Sequence, residues 1–192
     1  MRKIVLIVIM ALGLGTLALA QNHGEVGAFA DYLRLTPFDT NHFGVGGRAS
    51  FNVTSNIQLE AELSYDFARS FNESFTSGGT GTANINRTKV RILHGEFGPK
   101  FQTGGQAIRA FFTLKGGFAN FSFNNRPATF GTFTSQFGNL TEDNIHPVFY
   151  PGGGLEFYAG PIGIRMDVGD EMYFANGTHN NLRVAVGPSI RF

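Results

Sequence analysis

FGVGGRASFNVTSNIQLEAELSYDF, residues Phe43–Phe67, alternates with a period of two on both sides of a short polar turn. Phe43, Val45, Gly47, Ala49, Phe51 and Val53 share one parity, and Gly44, Gly46, Arg48, Ser50 and Asn52 take the other. After Thr54-Ser55-Asn56, the apolar set resumes as Ile57, Leu59, Ala61, Leu63, Tyr65 and Phe67, opposite Gln58, Glu60, Glu62, Ser64 and Asp66. Successive strand side chains point to opposite faces, so this is a hairpin with one greasy face and one polar face. Each run is about the length a tilted strand needs to cross a bilayer.

The same rule recurs along the chain. A first strand is expected over about 25–33, with Val26, Ala28, Ala30 and Tyr32 opposite Glu25, Gly27, Phe29 and Asp31. Others follow at about 88–102, from Ile108 to Phe118, around Phe149–Ala159, over Ile162–Gly169, and from Leu182 to the terminal Phe192. The connections alternate between longer segments (34–42, 68–87, 120–146, 175–181) and tight turns (54–56, 103–106, 160–161). The segment 68–87, with Ser77-Gly78-Gly79-Thr80-Gly81, reads as a flexible loop. Pro99, Pro151 and Pro188 fall inside expected strands, where each removes a ladder donor; bulges or strand ends are the expected explanation.

The fold class is therefore all-β, an eight-stranded antiparallel up-and-down transmembrane β-barrel. A soluble barrel would turn the apolar face inward. Here that face carries no charge in any strand middle, Arg91 and Asp170 sharing its parity only near strand ends. Charged residues make up only 15% of the chain, low for a water-facing exterior. An open edge in hydrocarbon would leave backbone groups unpaired, so the last strand should close on the first.

Residues 1–20 read as a cleaved signal peptide, with Arg2 and Lys3, an apolar run from Ile4 to Leu17, and Ala18-Leu19-Ala20. Residues 21–192 form the barrel domain. Without Arg2 and Lys3 the chain carries 13 basic and 14 acidic side chains, and nothing in that balance suggests a nucleic-acid partner. It has no Cys, which excludes a disulfide framework.

With the strands placed, the chain resembles small bacterial outer-membrane barrels of the OmpA/OmpX-like type. The resemblance rests on Gly163-Ile164-Arg165-Met166-Asp167-Val168 and on the closing strand from Arg183 to Phe192. It implies the bacterial outer membrane, contact with membrane lipid and lipopolysaccharide, and recognition of Phe192 and Ile190 by the outer-membrane assembly machinery. The sequence departs from the family habit in having no Trp, so Tyr32, Tyr65 and Phe residues would form the interfacial girdles.

Arg48, Glu60, Glu62, Glu96, Lys100, Arg109, Lys115, Glu156, Arg165, Asp167 and Arg183 share the polar parity, joined by Glu25, Asp31 and Glu171. A near-balanced ion-pair network filling the lumen is expected from them, because unpaired charges in a confined space are costly. A narrow porin-like channel is the alternative, weakened by how little room an eight-stranded lumen leaves. The five histidines are scattered, so no metal or cofactor is expected. His94 and Glu96, with Ser50 and Ser64 on the same face, keep a lipid A-modifying enzyme as a lesser alternative; the reading preferred is non-enzymatic. Phe123, Phe130, Phe133 and Phe137 in the longest loop are candidates for contact with an extracellular partner.

Overall fold

The computed structural model describes residues 23–36, 40–77, 81–105, 107–124, 134–135, 145–175 and 177–192, with backbone only at 70–77, 81–88, 123–124 and 134–135. The expected signal peptide and Phe130, Phe133 and Phe137 lie outside the described residues, as does the side chain of Phe123. The strands are β1 (Gly24–Leu35), β2 (Thr40–Asn52), β3 (Ile57–Ser77), β4 (Gly81–Gly104), β5 (Ile108–Asn124), β6 (Thr134–Ser135), β7 (Ile145–Ala159), β8 (Ile162–Asp170), β9 (Met172–Phe174), β10 (Thr178–His179) and β11 (Asn181–Arg191).

Eight staves close the barrel: β1, β2, β3, β4, β5, β7, β8 continued by β9, and β11. Each pairs antiparallel with its neighbour, and β11 returns to β1 through pairs such as Val26↔Ile190 and Tyr32↔Val184. Closure leaves no stave with an open edge, as hydrocarbon requires. The seam is secured at the short-turn end, where the Gly24 amide donates to the Phe192 carbonyl at 3.0 Å and the Phe192 amide donates to Gly24 at 3.0 Å. At Gly160-Pro161 the tight turn between β7 and β8 places Gly160 at φ 65°, a left-handed backbone that suits a residue without Cβ.

The apolar parity faces outward. Phe51, Leu63, Phe97, Ile108, Phe112, Ile162, Ile164 and Val168 are all exposed on the outside wall, Ile164 by 60%. An apolar band of this size on a closed barrel needs lipid to cover it. Nitroxide labels at Leu59, Phe112 and Ile164 are accordingly expected to be broadened by oxygen dissolved in the bilayer. Broadening by a water-soluble nickel chelate at these sites would place the apolar face in water and reverse the barrel.

Two expectations are corrected. The segment 68–87 is strand for most of its length: β3 runs on to Ser77 and β4 starts at Gly81, paired from Asn72↔Asn86 to Ser77↔Gly81. Backbone pairing needs no apolar face, so a polar composition hid a hairpin arm that stands beyond the lipid band. The prolines, in turn, mark neither bulges nor strand ends. Pro99, Pro151 and Pro188 sit mid-strand, each beside a two-residue gap in one ladder. The gaps fall between Phe97↔Gly116 and Lys100↔Thr113, between Phe149↔Met172 and Gly152↔Gly169, and between Gly27↔Ser189 and Ala30↔Val186. Register is the same on both sides of every gap, and the other edge of each proline is paired, with Leu59, Leu114 and Ile164 respectively. A single missing donor is thus absorbed without slipping the register. The bulges lie in β3–β4 instead, between Asp66 and Arg69 and between Phe71 and Asn72.

Candidate functional site: a two-layer lumen

Inside the apolar band the lumen is ionic. Arg183 on β11 is its hub: its guanidinium meets Asp31 at 3.0 Å, Glu62 at 2.7 Å, Glu96 at 3.0 Å and Glu171 at 3.5 Å, and donates to Ser64 Oγ at 3.2 Å. Lys115 on β5 lies 2.5 Å from Glu62, 3.3 Å from Glu60 and 3.7 Å from Glu96. Nearer the short-turn end, Lys100 donates to Glu156 at 2.5 Å and sits 3.4 Å from Glu25. Arg165 makes a fork to Glu60, with Nη2–Oε1 at 3.0 Å, and its Nε donates to Asp167 at 3.1 Å. Asp167 also accepts from Arg48 at 2.6 Å. Bidentate and multiply shared geometry of this kind offsets the desolvation of buried charge.

Aromatic rings lie between the cations and the wall. Arg48 is 4.2 Å from the Phe29 ring centroid, Arg165 is 4.2 Å from Phe111, and Lys115 is 4.9 Å from Tyr150. These rings lie flat because the wall beneath them is glycine. A Cβ added at Gly152 or Gly169 would come within 2.5–2.6 Å of the Tyr150 ring, and one at Gly46 would overlap the Phe29 ring. Gly44 and Gly46 likewise make room for Asp66 and for the Phe29 ring.

Ten of the eleven residues expected in the network are brought together. Arg109 is not: it is half-exposed at the short-turn mouth, with Nε donating to the Gly105 carbonyl at 3.3 Å. In this layer ion pairs join Glu25, Asp31, Glu60, Glu62, Asp66, Glu96, Glu156, Asp167 and Glu171 to Arg48, Lys100, Lys115, Arg165, Arg183 and His94. Lys100, Lys115, Arg165 and Arg183 are each shared by three or more carboxylates, and Arg48 pairs with Asp167.

His94 closes the ionic layer from above. Its Nε2 is 2.9 Å from Asp66 and its Nδ1 is 2.5 Å from Glu171. The neighbouring Glu96 pairs with Arg183 and Lys115, so the His94–Glu96 pair on which the lesser, enzymatic alternative rested is not formed. His94 is buried inside the lumen, away from the lipid-facing wall.

Above His94 the interior changes character. Leu33, Leu35, Val90, Ile92, Ala119, Phe121, Val148, Tyr173 and Ala175 form one apolar cluster inside the long-arm end. Phe121 packs at 5.2 Å from Tyr173 and 5.7 Å from His146, and His179 stacks on Tyr173 at 4.8 Å. This second layer was missed because it carries the polar parity: Val90 and Ile92 point the same way as His94 and Glu96. The signal was present as apolar residues at both parities where β1, β4 and β5 leave the lipid band. Asn181 ties the layer's rim, donating from Nδ2 to the Glu171 carbonyl at 2.8 Å and accepting from the Thr36 amide at 3.2 Å.

The architecture matches solved barrels. Over 90% of this chain and 100% of the other, it superimposes on Ail, the attachment invasion locus protein of Yersinia pestis, with TM-score 0.52 and 14% identity. It is also similar to Neisserial surface protein A, covering 88% of this chain and 96% of that one, with TM-score 0.51 and 8% identity. A major outer membrane protein from Thermus thermophilus matches over 88% of this chain and 99% of its own, at TM-score 0.51 and 8% identity. The chain has the eight-stranded outer-membrane barrel fold. No family model matches the sequence, and no curated protein matches it. At these identities the likeness concerns the fold; together with the apolar exterior it points to the bacterial outer membrane.

Proposed function

We propose that this protein is a non-enzymatic outer-membrane barrel with a structural or surface-interaction role, its lumen braced shut by the ion-pair network. The observation that carries this reading is the double filling of the lumen. Lys100, Lys115 and Glu156 have no exposed surface in the ionic layer, and Ile92 and Ala119 have none in the apolar layer above it. An ion would have to break charge pairs in the first layer and shed its water in the second. The narrow-channel alternative has neither obstacle accounted for. The lipid A-modifying alternative loses its strongest candidate, since both ring nitrogens of His94 face carboxylates inside the barrel.

In this reading the short-turn end, with Phe192 and Ile190, is periplasmic and carries the signal for the assembly machinery. The β3–β4 arm lies at the opposite, outward end, and Phe123, Phe130, Phe133 and Phe137 are the candidates for contact with an extracellular partner. The test joins two measurements on refolded protein. Unboiled samples should migrate faster on a denaturing gel than boiled ones, and planar bilayers containing the same preparation should show no steady single-channel openings. Regular unitary openings from heat-modifiable protein would overturn the closed lumen; loss of the mobility difference would overturn the barrel itself.

A further inference from the structure

The short-turn end of the lumen opens into a cavity of about 600 Å³, a size that suits a small ligand. The tight turns and the last strand build it together. Asn52 and Ser55 come from the β2–β3 connection, Gln102 and Arg109 from β4 and β5, Tyr158 from β7, and Arg191 from β11. The described residues that line it include two arginines and no carboxylate. Further in, Lys100 is the next inward residue after Gln102 on β4, and its pair with Glu156 at 2.5 Å belongs to the filled ionic layer. The cavity is therefore a blind cup.

Two of its groups keep hydrogen-bonding capacity that the fold does not use. Arg109 stands opposite Glu156 in the β5–β7 register, yet Glu156 is held by Lys100. Arg109 is half-exposed, makes no ion pair among the described residues, and uses only its Nε, on the Gly105 carbonyl at 3.3 Å. Gln102 is 5% exposed. Its Nε2 donates to the Ser55 carbonyl at 3.2 Å, which fixes the amide plane, and its Oε1 accepts from no described group. A buried acceptor left unmet is costly. Gln102 lies opposite Phe111 and Arg109 opposite Gly104, so the two are diagonal neighbours on the inner face. Such neighbours are about 7–8 Å apart. Across the cup, the Arg191 guanidinium lies 3.3 Å over the Tyr158 ring centroid, and the Tyr158 hydroxyl is 2.9 Å from Ser189 Oγ. The ring covers one face of the guanidinium and leaves the donors in its plane.

Resting on the orientation proposed above, the geometry points to a periplasmic site for the carboxyl terminus of a peptide. The terminal carboxylate is taken by the Nη groups of Arg109, and Arg191 adds a second positive charge. The N–H of the same terminal residue donates to Gln102 Oε1. One residue carries both groups, and its length suits the diagonal between the two side chains. A sulfate meets the arginines but carries no proton for Gln102. A free amino acid brings an ammonium, which the two arginines repel. The ligand class is thus an acylated amino acid with a free carboxylate.

The probe is acetyl-alanyl-alanine, titrated by NMR into refolded, isotope-labelled protein in maltoside micelles, whose headgroups are uncharged. Saturable shifts are expected in the Gln102 side-chain amide and in the backbone amides around Ser55 and Arg109. The same peptide ending in a carboxamide should produce none at equal concentration. Acetate should bind about fivefold more weakly than the peptide, because it lacks the N–H, and Gln102→Leu should bring the peptide down to the level of acetate. Arg109→Gln should weaken the peptide about tenfold, and Arg109→Lys should recover part of that loss. Inorganic phosphate binding as tightly as the peptide would make the cup a general anion site and overturn the peptide assignment. Absence of shifts in the parent, or equal binding of the carboxamide, would also overturn it. Heat-modifiable gel mobility is measured on every sample: its loss would mean failure of the barrel reading, and its retention without binding would mean failure of the site alone. On intact cells Ser55→Cys should resist a membrane-impermeant maleimide; labelling would place the cup outside and overturn the periplasmic assignment.

Discussion

Arg183→Met is expected to destabilise the folded barrel by about 3–5 kcal/mol, measured as a lowered urea midpoint for unfolding from lipid vesicles. The side chain is buried in the lumen and is the shared partner of Asp31, Glu62, Glu96 and Glu171. Methionine fills similar space beside Phe29 and Tyr150 but returns no charge, so four carboxylates lose a common cation. Lys115 remains near Glu62 and Glu96 and limits part of the damage. Asp31 has no second cation among its described ion pairs, so Asp31→Asn in the Arg183→Met background should restore a measurable share of the loss. An Arg183→Met protein with an unchanged midpoint would mean that the ionic layer packs the lumen without bracing it.

Phe121→Ala is expected to cost about 3–5 kcal/mol at a different level of the molecule. Phe121 is buried in the apolar layer and touches both Tyr173 and His146, so truncation leaves a void that the flanking staves can close only partly. The effect should be regional. Amide exchange should accelerate in the upper parts of β5, β7 and β9, while the lower barrel keeps its protection and its gel mobility. Equal acceleration from end to end would show that the two layers act as one cooperative unit.

The difference between these two results tests whether the lumen is shut twice. The ionic layer occupies the depth where the outside is lipid, and there it satisfies polar groups that hydrocarbon cannot reach. The apolar layer occupies the depth where the outer wall carries Arg34, Lys89 and Arg91 and meets water. A barrel crossing from lipid into water therefore turns inside out chemically while its strands run on without interruption.

Parity alone determined much of this protein. The period of two in Phe43–Phe67, repeated along the chain, set the fold class, the number of staves and the side of the wall on which Arg48, Glu60, Lys115 and Arg183 stand. Parity is a local property of each strand, so it survives without knowledge of the partners. What it could not supply was anything that depends on which strands meet, and at what height. The sharing of Arg183 among four carboxylates, the exclusion of Arg109, and the pairing of His94 with Asp66 and Glu171 all come from register around a closed cylinder. So does the reversal at Val90, Ile92 and Phe121, where the same parity carries charge below and apolar side chains above. A sequence alternates in one dimension; the lipid boundary is set in three, by strand tilt and closure, and only the tertiary structure fixes where each strand crosses it.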